Sequence, residues 1–150
     1  MSRKTTVFLF ILLLLPVIVY LIRPTDEGRI KKLIKEGAEA VEKEDIAGVM
    51  SKISFTYQDK HGLSYILLRQ LFEQEFKTLS GIKVEYENLG IAVDGEKAGA
   101  RIDVRVIATS GGQTGYYIGD IREPAHLVLE LEKGPVGRWL VANSAGLEIY

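Results

Sequence analysis

FTYQDKHGLSYILLRQLFEQEF, residues 55–76, changes rhythm in its middle. Tyr57, Asp59 and His61 fall at every second position, and after Ser64 the apolar residues recur at helical spacing. The stretch reads either as an extended segment turning into a helix or as an acid–base site carried on a loop. In an extended segment Phe55, Tyr57 and Asp59 share one face. Asp59 can accept backbone N–H bonds and organise a turn, Gly62 supplies a permissive backbone, and Ser64 caps the helix that follows. His61 then lies on an exposed turn.

The helix after Ser64 has one residue out of place. At about 100° per residue, Leu67, Leu68, Leu71, Phe72, Phe76 and Leu79 fill one half of the wheel, and Arg69, Glu73, Gln74 and Lys77 point away. Glu75 projects near the middle of the apolar half. An ionised carboxylate there must be paired or hydrogen-bonded. It is therefore either a satisfied carboxylate against a polar cavity or a general acid or base with a pKa raised by burial.

Beyond Gly81 the period changes to two. IKVEYENLGIAVDG, residues 82–95, alternates through Ile82, Val84 and Tyr86, then shifts parity to Leu89, Ile91 and Val93, which predicts a bulge or bend near Asn88 to Gly90. The next run places Ala100, Ile102, Val104 and Val106 inward, against Arg101, Asp103 and Arg105. Two more strands follow around EKGPVG: HLVLELEKG and RWLVANSAGLEIY, residues 126–134 and 138–150. The glycine-rich connection TSGGQTGYYIGDIREPA, residues 109–125, fits no element by its pattern.

Upstream of residue 55 the pattern is helical. Pro24 stops the preceding segment, and Thr25 or Asp26 can cap a helix burying Ile30, Leu33, Ile34, Ala38 and Val41. Asp45 caps a shorter one that buries Ile46, Val49, Met50 and Ile53. The order is helix, short helix, strand fragment, helix, then four long antiparallel strands with a bend. That is an α+β layout with helices on the concave side of a curved sheet.

Residues 1–23 are of another kind. Thr5 to Ile22 carries no charge and follows Arg3 and Lys4. At ~1.5 Å per residue it reaches roughly 27 Å, enough for a thin or locally compressed bilayer. A cleaved signal peptide is the rival reading, but no small-x-small site follows. The run is read as a single-span anchor in a cytoplasmic membrane, Pro16 bending it. Arg3 and Lys4 favour an N-terminus inside and residues 24–150 outside, although Arg23, Arg29, Lys31, Lys32 and Lys35 favour the reverse by count.

Composition excludes several classes. The 150 residues allow one modest domain, and the net charge of −1, with signs interleaved, argues against a nucleic-acid partner. The absence of cysteine removes disulfides, thiolate metal sites and a cysteine nucleophile. Two histidines without a ligand-spaced carboxylate motif argue against a metal site, and no cofactor is expected.

EDIAGVMSKISFTYQDKHGLSYILLRQLFEQEF, followed by strands ending in GRWLVANSAGLEI, resembles the nuclear transport factor 2-like superfamily. The likeness runs from Asp26 to Tyr150. It is nearest to small exported bacterial members, whose S-x-x-Y-x-D-x-x-G stretch matches Ser54, Tyr57, Asp59 and Gly62. The resemblance implies a cone of helices on a curved antiparallel sheet. The superfamily includes enzymes, binding modules and secretion-system scaffolds, so it does not fix an activity. Enzymatic members use Tyr, Asp and His around the cone mouth, but that pattern does not transfer residue by residue. Tyr57, Asp59 and Glu75 are the weak catalytic candidates. Tyr57, Glu75, Tyr86, Trp139 and Asn143 are the candidate ligand-binding set, Trp139 also being a natural core residue. A protein partner, a homodimer or a small apolar ligand fits a non-catalytic domain; a small hydro-lyase or isomerase is the alternative.

Overall fold

The computed structural model describes residues 3–147, without the side chains of residues 3–6. The side chains of the basic pair Arg3 and Lys4, and the final Glu148, Ile149 and Tyr150 of the predicted last strand, therefore lie outside what is described. Among the described residues four α-helices and five strands follow in order: α1 (Arg3–Ile22), α2 (Asp26–Glu42), α3 (Ile46–Met50), α4 (Tyr65–Thr78), β1 (Ser80–Asp94), β2 (Lys97–Ser110), β3 (Gln113–Ile118), β4 (Ala125–Lys133) and β5 (Trp139–Ala145), with a 3-10 turn at Pro135–Gly137 between the last two.

The strands form one antiparallel sheet in the order β1-β2-β4-β5. The residues left unplaced by their pattern supply the fifth strand. Gly111 and Gly112 both take positive φ, 56° and 79°, and close a hairpin that returns β3 along β2. Residues Lys97 to Val104 of β2 pair with β4 and Val106 to Ser110 with β3, so β3 and β4 lie end to end along one edge of β2. The predicted parity shift in β1 is present. Register slips between Glu87 and Gly90, and Asn88 holds φ of 55°. The extra residue bends the strand and returns Leu89 and Ile91 to the inner face.

Alternation along β2 buries Ala98, Ala100, Ile102, Val104, Val106 and Ala108. Against this face lies α2, capped by Thr25, whose hydroxyl accepts from the Gly28 amide at 3.1 Å, and it buries Ile30, Leu33 and Ile34. Asp26 is drawn elsewhere. Its carboxylate accepts from the Trp139 indole N–H at 3.1 Å and from Lys133 Nζ at 3.0 Å, which pins the start of α2 to the β4–β5 end of the sheet. At its other end Glu42 accepts the edge amide of Val84 at 2.9 Å.

The described side chains of α1, Val7 to Ile22, are exposed all round, and none enters the core cluster. Residues 24–147 thus carry their own core. Among the described residues no single helix is long and apolar enough to cross a membrane. Val7–Ile22 and Asp26–Glu42 pass by length and composition only as a pair bent 48°. That pair is not one span, because α2 buries its apolar face in the domain.

Candidate functional site

Every residue of the S-x-x-Y-x-D-x-x-G stretch has a structural task. Ser54 is buried and donates to Glu132 Oε1 of β4 at 2.5 Å. The amide of Tyr57 bonds the Ser54 carbonyl, so residues 54–57 form a turn. This corrects the extended reading: Phe55 is 84% exposed and packs on Tyr65 at 4.9 Å between centroids, while Tyr57 is 3% exposed on the other side. Asp59 Oδ1 accepts the amides of His61 at 2.9 Å and Leu63 at 2.8 Å, Gly62 takes φ of 80°, and Ser64 caps α4. The stretch is a joint between β5 and α4, and its polar side chains are spent on that joint.

The joint matters because α4 stands off the sheet. Its backbone lies alongside α3 more than along any strand, and Leu68 is its one buried residue. Leu71, Phe72 and Phe76 are half-buried, and beneath them is a cavity of about 320 Å³. Its floor is Ile82, Val84, Ile102, Val104, Leu129 and Val141 of the sheet, and α2 closes one side with Leu33, Ile34 and Ala38. Aliphatic and aromatic carbon makes up nearly all of the wall.

A few polar groups break that wall. Tyr57 reaches in from the joint, and its hydroxyl lies 2.6 Å from Ser144 Oγ. Burial pushes its phenol up, against the opposing pull of the Ser144 bond, with the Asp59 charge adding a little. Glu75 lines the cavity as its helical angle predicts, and Tyr117 donates its hydroxyl to Glu75 Oε2 at 2.5 Å. Burial, then the bond to Glu75 and that carboxylate's charge, push Tyr117 up to about 12. Tyr86 is also on the wall, 38% exposed. Asp59, Lys60 and His61 sit at the joint edge.

Two bulges decide which side chains arrive. Register slips between Val106 and Ile107 of β2, leaving Tyr117 as the extra residue of β3 and turning it toward α4. In β5, Val141 faces Leu131 while Asn143 faces Glu130, so Ala142 is extra. Its carbonyl accepts from the Gln58 amide at 3.2 Å. The parity change sends Ser144 inward, and Asn143 Nδ2 instead donates to Glu130 at 3.2 Å. Asn143 is therefore off the cavity wall, contrary to its expected place. Trp139 is off it too: held by Asp26 under Lys133, whose Nζ lies 5.3 Å from the ring centroid, it belongs to the end of the domain where α2 begins. Of the five expected residues the structure brings Tyr57, Glu75 and Tyr86 to one cavity. Tyr117 and Ser144 were missed, because neither bulge leaves a mark in the alternation.

A base–orienter pair exists, but on the opposite face of the sheet. His126 Nδ1 lies 2.6 Å from Asp103 Oδ1, and Asn88 donates to the same carboxylate at 2.8 Å, holding Asp103 below the ordinary carboxylate range, Asn88 more than His126. None of these three residues lines the cavity, and the described residues hold no group of three or more metal-ligating side chains.

Helices over a bulged antiparallel sheet, with a cavity between, define a nuclear transport factor 2-like cone. Comparison with solved structures agrees. The chain superposes on a conserved protein of Planctomyces limnophilus with a TM-score of 0.70 at 18% identity, over 83% of this chain and 96% of that one. A candidate scytalone dehydratase of Novosphingobium aromaticivorans gives 0.68 at 11%, over 83% and 89%. A nuclear transport factor 2-like protein with a cystatin-like fold from that organism gives 0.63 at 15%, over 87% and 84%. No family model and no curated protein matches the sequence. At such identities the likeness establishes the fold, not the activity.

Proposed function

We propose that this chain is a membrane-tethered, non-catalytic binding domain, held outside the cytoplasm by α1, that takes a small apolar ligand into its cavity. The observation that carries the ligand is the apolar wall beneath α4, of a volume suited to a small ligand and interrupted by a few polar groups. Those groups already have partners: Tyr57 has Ser144, Tyr117 has Glu75, and Asp59 has its own loop. A ligand is then held by burial of carbon, oriented by the edges of these pairs. The tether is supported by α1, whose described apolar side chains find no partner in the domain. A protein partner, including a second copy, remains compatible with this arrangement.

The ligand is tested by titrating a chain beginning at Pro24 with the neutral fluorophore N-phenyl-1-naphthylamine. Saturable one-to-one enhancement, abolished by Ala38→Phe, is expected; equal emission from both proteins would refute the cavity as the site. The tether is tested by carbonate washing, with the full chain staying in the membrane pellet. Recovery of a native chain starting near Pro24 would instead make residues 1–23 a signal peptide.

One observation favours a second reading. Glu75 and Tyr117 form a hydrogen-bonded pair on the wall, so a small hydro-lyase or isomerase using Glu75 is the alternative. Turnover lost in Glu75→Gln, with binding intact, would establish it.

A further inference from the structure

We infer that the β4–β5 turn is a second membrane contact, in which Val136 inserts among lipid headgroups beside the α1 anchor; the inference rests on the tethering proposed above. Val136 is 98% exposed, the most exposed large apolar side chain among the domain's described residues. It also holds φ of 64° and ψ of 18°, a left-handed conformation that a β-branched residue seldom adopts. Gly134 and Gly137 flank it, with the Gly134 amide donating to the Arg138 carbonyl at 2.7 Å.

The turn's place in the fold identifies what it meets. Lys133 and Trp139, the residues on either side of it, both bond Asp26 at the start of α2. Asp26 follows Ile22, the last residue of α1, after three residues. At no more than ~3.6 Å per residue the chain keeps Asp26 within roughly 14 Å of the anchor's end. An anchor in a bilayer therefore holds this end of the domain against the headgroups. Arg23, Arg29 and Arg138 are exposed around it, and among the described residues none of the three is in an ion pair. The adjoining β1–β2 turn brings Asp94 and Glu96 to the same end, so the charge is mixed and apolar insertion leads. Trp139 and Lys133 fix the turn to α2, which makes the contact a rigid second point that sets the domain's tilt on the membrane.

The chain has no cysteine, so single labels are readily placed. The full chain is reconstituted in phosphatidylcholine–phosphatidylglycerol vesicles carrying nitroxide lipids, with an environment-sensitive dye at Leu14→Cys, Pro135→Cys or Gln113→Cys. Gln113 stands at the far end of β2, about 40 Å along the strand from Lys97. Quenching is expected at Leu14 and Pro135 but not at Gln113, and Val136→Asp should remove at least half of the quenching at Pro135. Quenching at Leu14 alone, or a Pro135 signal indifferent to Val136→Asp, would overturn the contact and leave the tether standing. No quenching at Leu14 would remove the tether itself. A blue shift at Pro135 without lipid quenching would mean a protein partner at the turn, which also refutes the inference.

Discussion

α2 and α4 look alike as sequences and behave differently as structures. Both are amphipathic, both are capped by a hydroxyl, and both lie on the concave side of the sheet. Yet α2 drives Ile30, Leu33 and Ile34 into the core, whereas α4 buries Leu68 alone and spans a void. What separates them is how each is pinned. α2 is fixed at its start by Asp26 to Trp139 and Lys133, and at its end by Glu42 to β1. α4 hangs from the turn at Asp59, runs through buried Leu79 into β1, touches the core with Leu68, Phe72 and Phe76, and adds the Glu75–Tyr117 bond to the sheet. Amphipathicity says which face is turned inward; it does not say whether that face touches anything.

The contrast is broken first by truncation. Ile30→Ala, at a fully buried site, should cost about 3 kcal/mol in urea unfolding. Leu71→Ala, on the cavity wall, should cost about 1 kcal/mol and weaken probe binding instead. Equal costs would mean that α4 is packed down like α2. Removal of the joint comes next: Asp59→Ala leaves two amides without their acceptor and should cost ~0.5–2 kcal/mol, read as a lower melting temperature. An unchanged melting temperature with lost binding would move Asp59 from scaffold to site.

The two pins should also fail at opposite ends of the pH scale. The Trp139 bond first, then that from Lys133, hold Asp26 below the usual carboxylate range. Its contribution is present above the unfolded value and lost as pH falls below about 4. Asp26→Asn should flatten that acid limb. Tyr117 is shifted the other way, to about 12. Its contribution is complete below about pH 10 and lost as pH rises toward 12. The effect is small because the ring is nearly half exposed, and Tyr117→Phe should reduce the alkaline slope in denaturant midpoints, leaving the part that belongs to buried Tyr57, while the acid limb stays intact.

How much of this was legible follows the same division. Strict alternation from Ala100 to Val106 gave β2 its inner face, and the parity break at Asn88 gave the bulge in β1, because hydrophobic patterning acts directly on both. Glu75 was legible as a carboxylate in need of a partner. The partner was not, because Tyr117 belongs to a glycine-rich strand whose exposed residues carry no alternation, and a bulge sets its direction. Asn143 and Ser144 exchange roles for the same reason. The turn at Ser54 to Tyr57 was hidden because its bonds run to Glu132 and β5, far along the chain.

The void beneath α4 is the central claim, and dissolved xenon tests it most directly, since an apolar cavity of this size takes up xenon. In methyl-labelled protein beginning at Pro24, xenon should shift the resonances of Leu71, Val84 and Val104 in a saturable manner and leave Ile30 unmoved. Uniform small shifts across all four, or none at Leu71 and Val104, would contradict an open cavity and return α4 to the same close packing as α2.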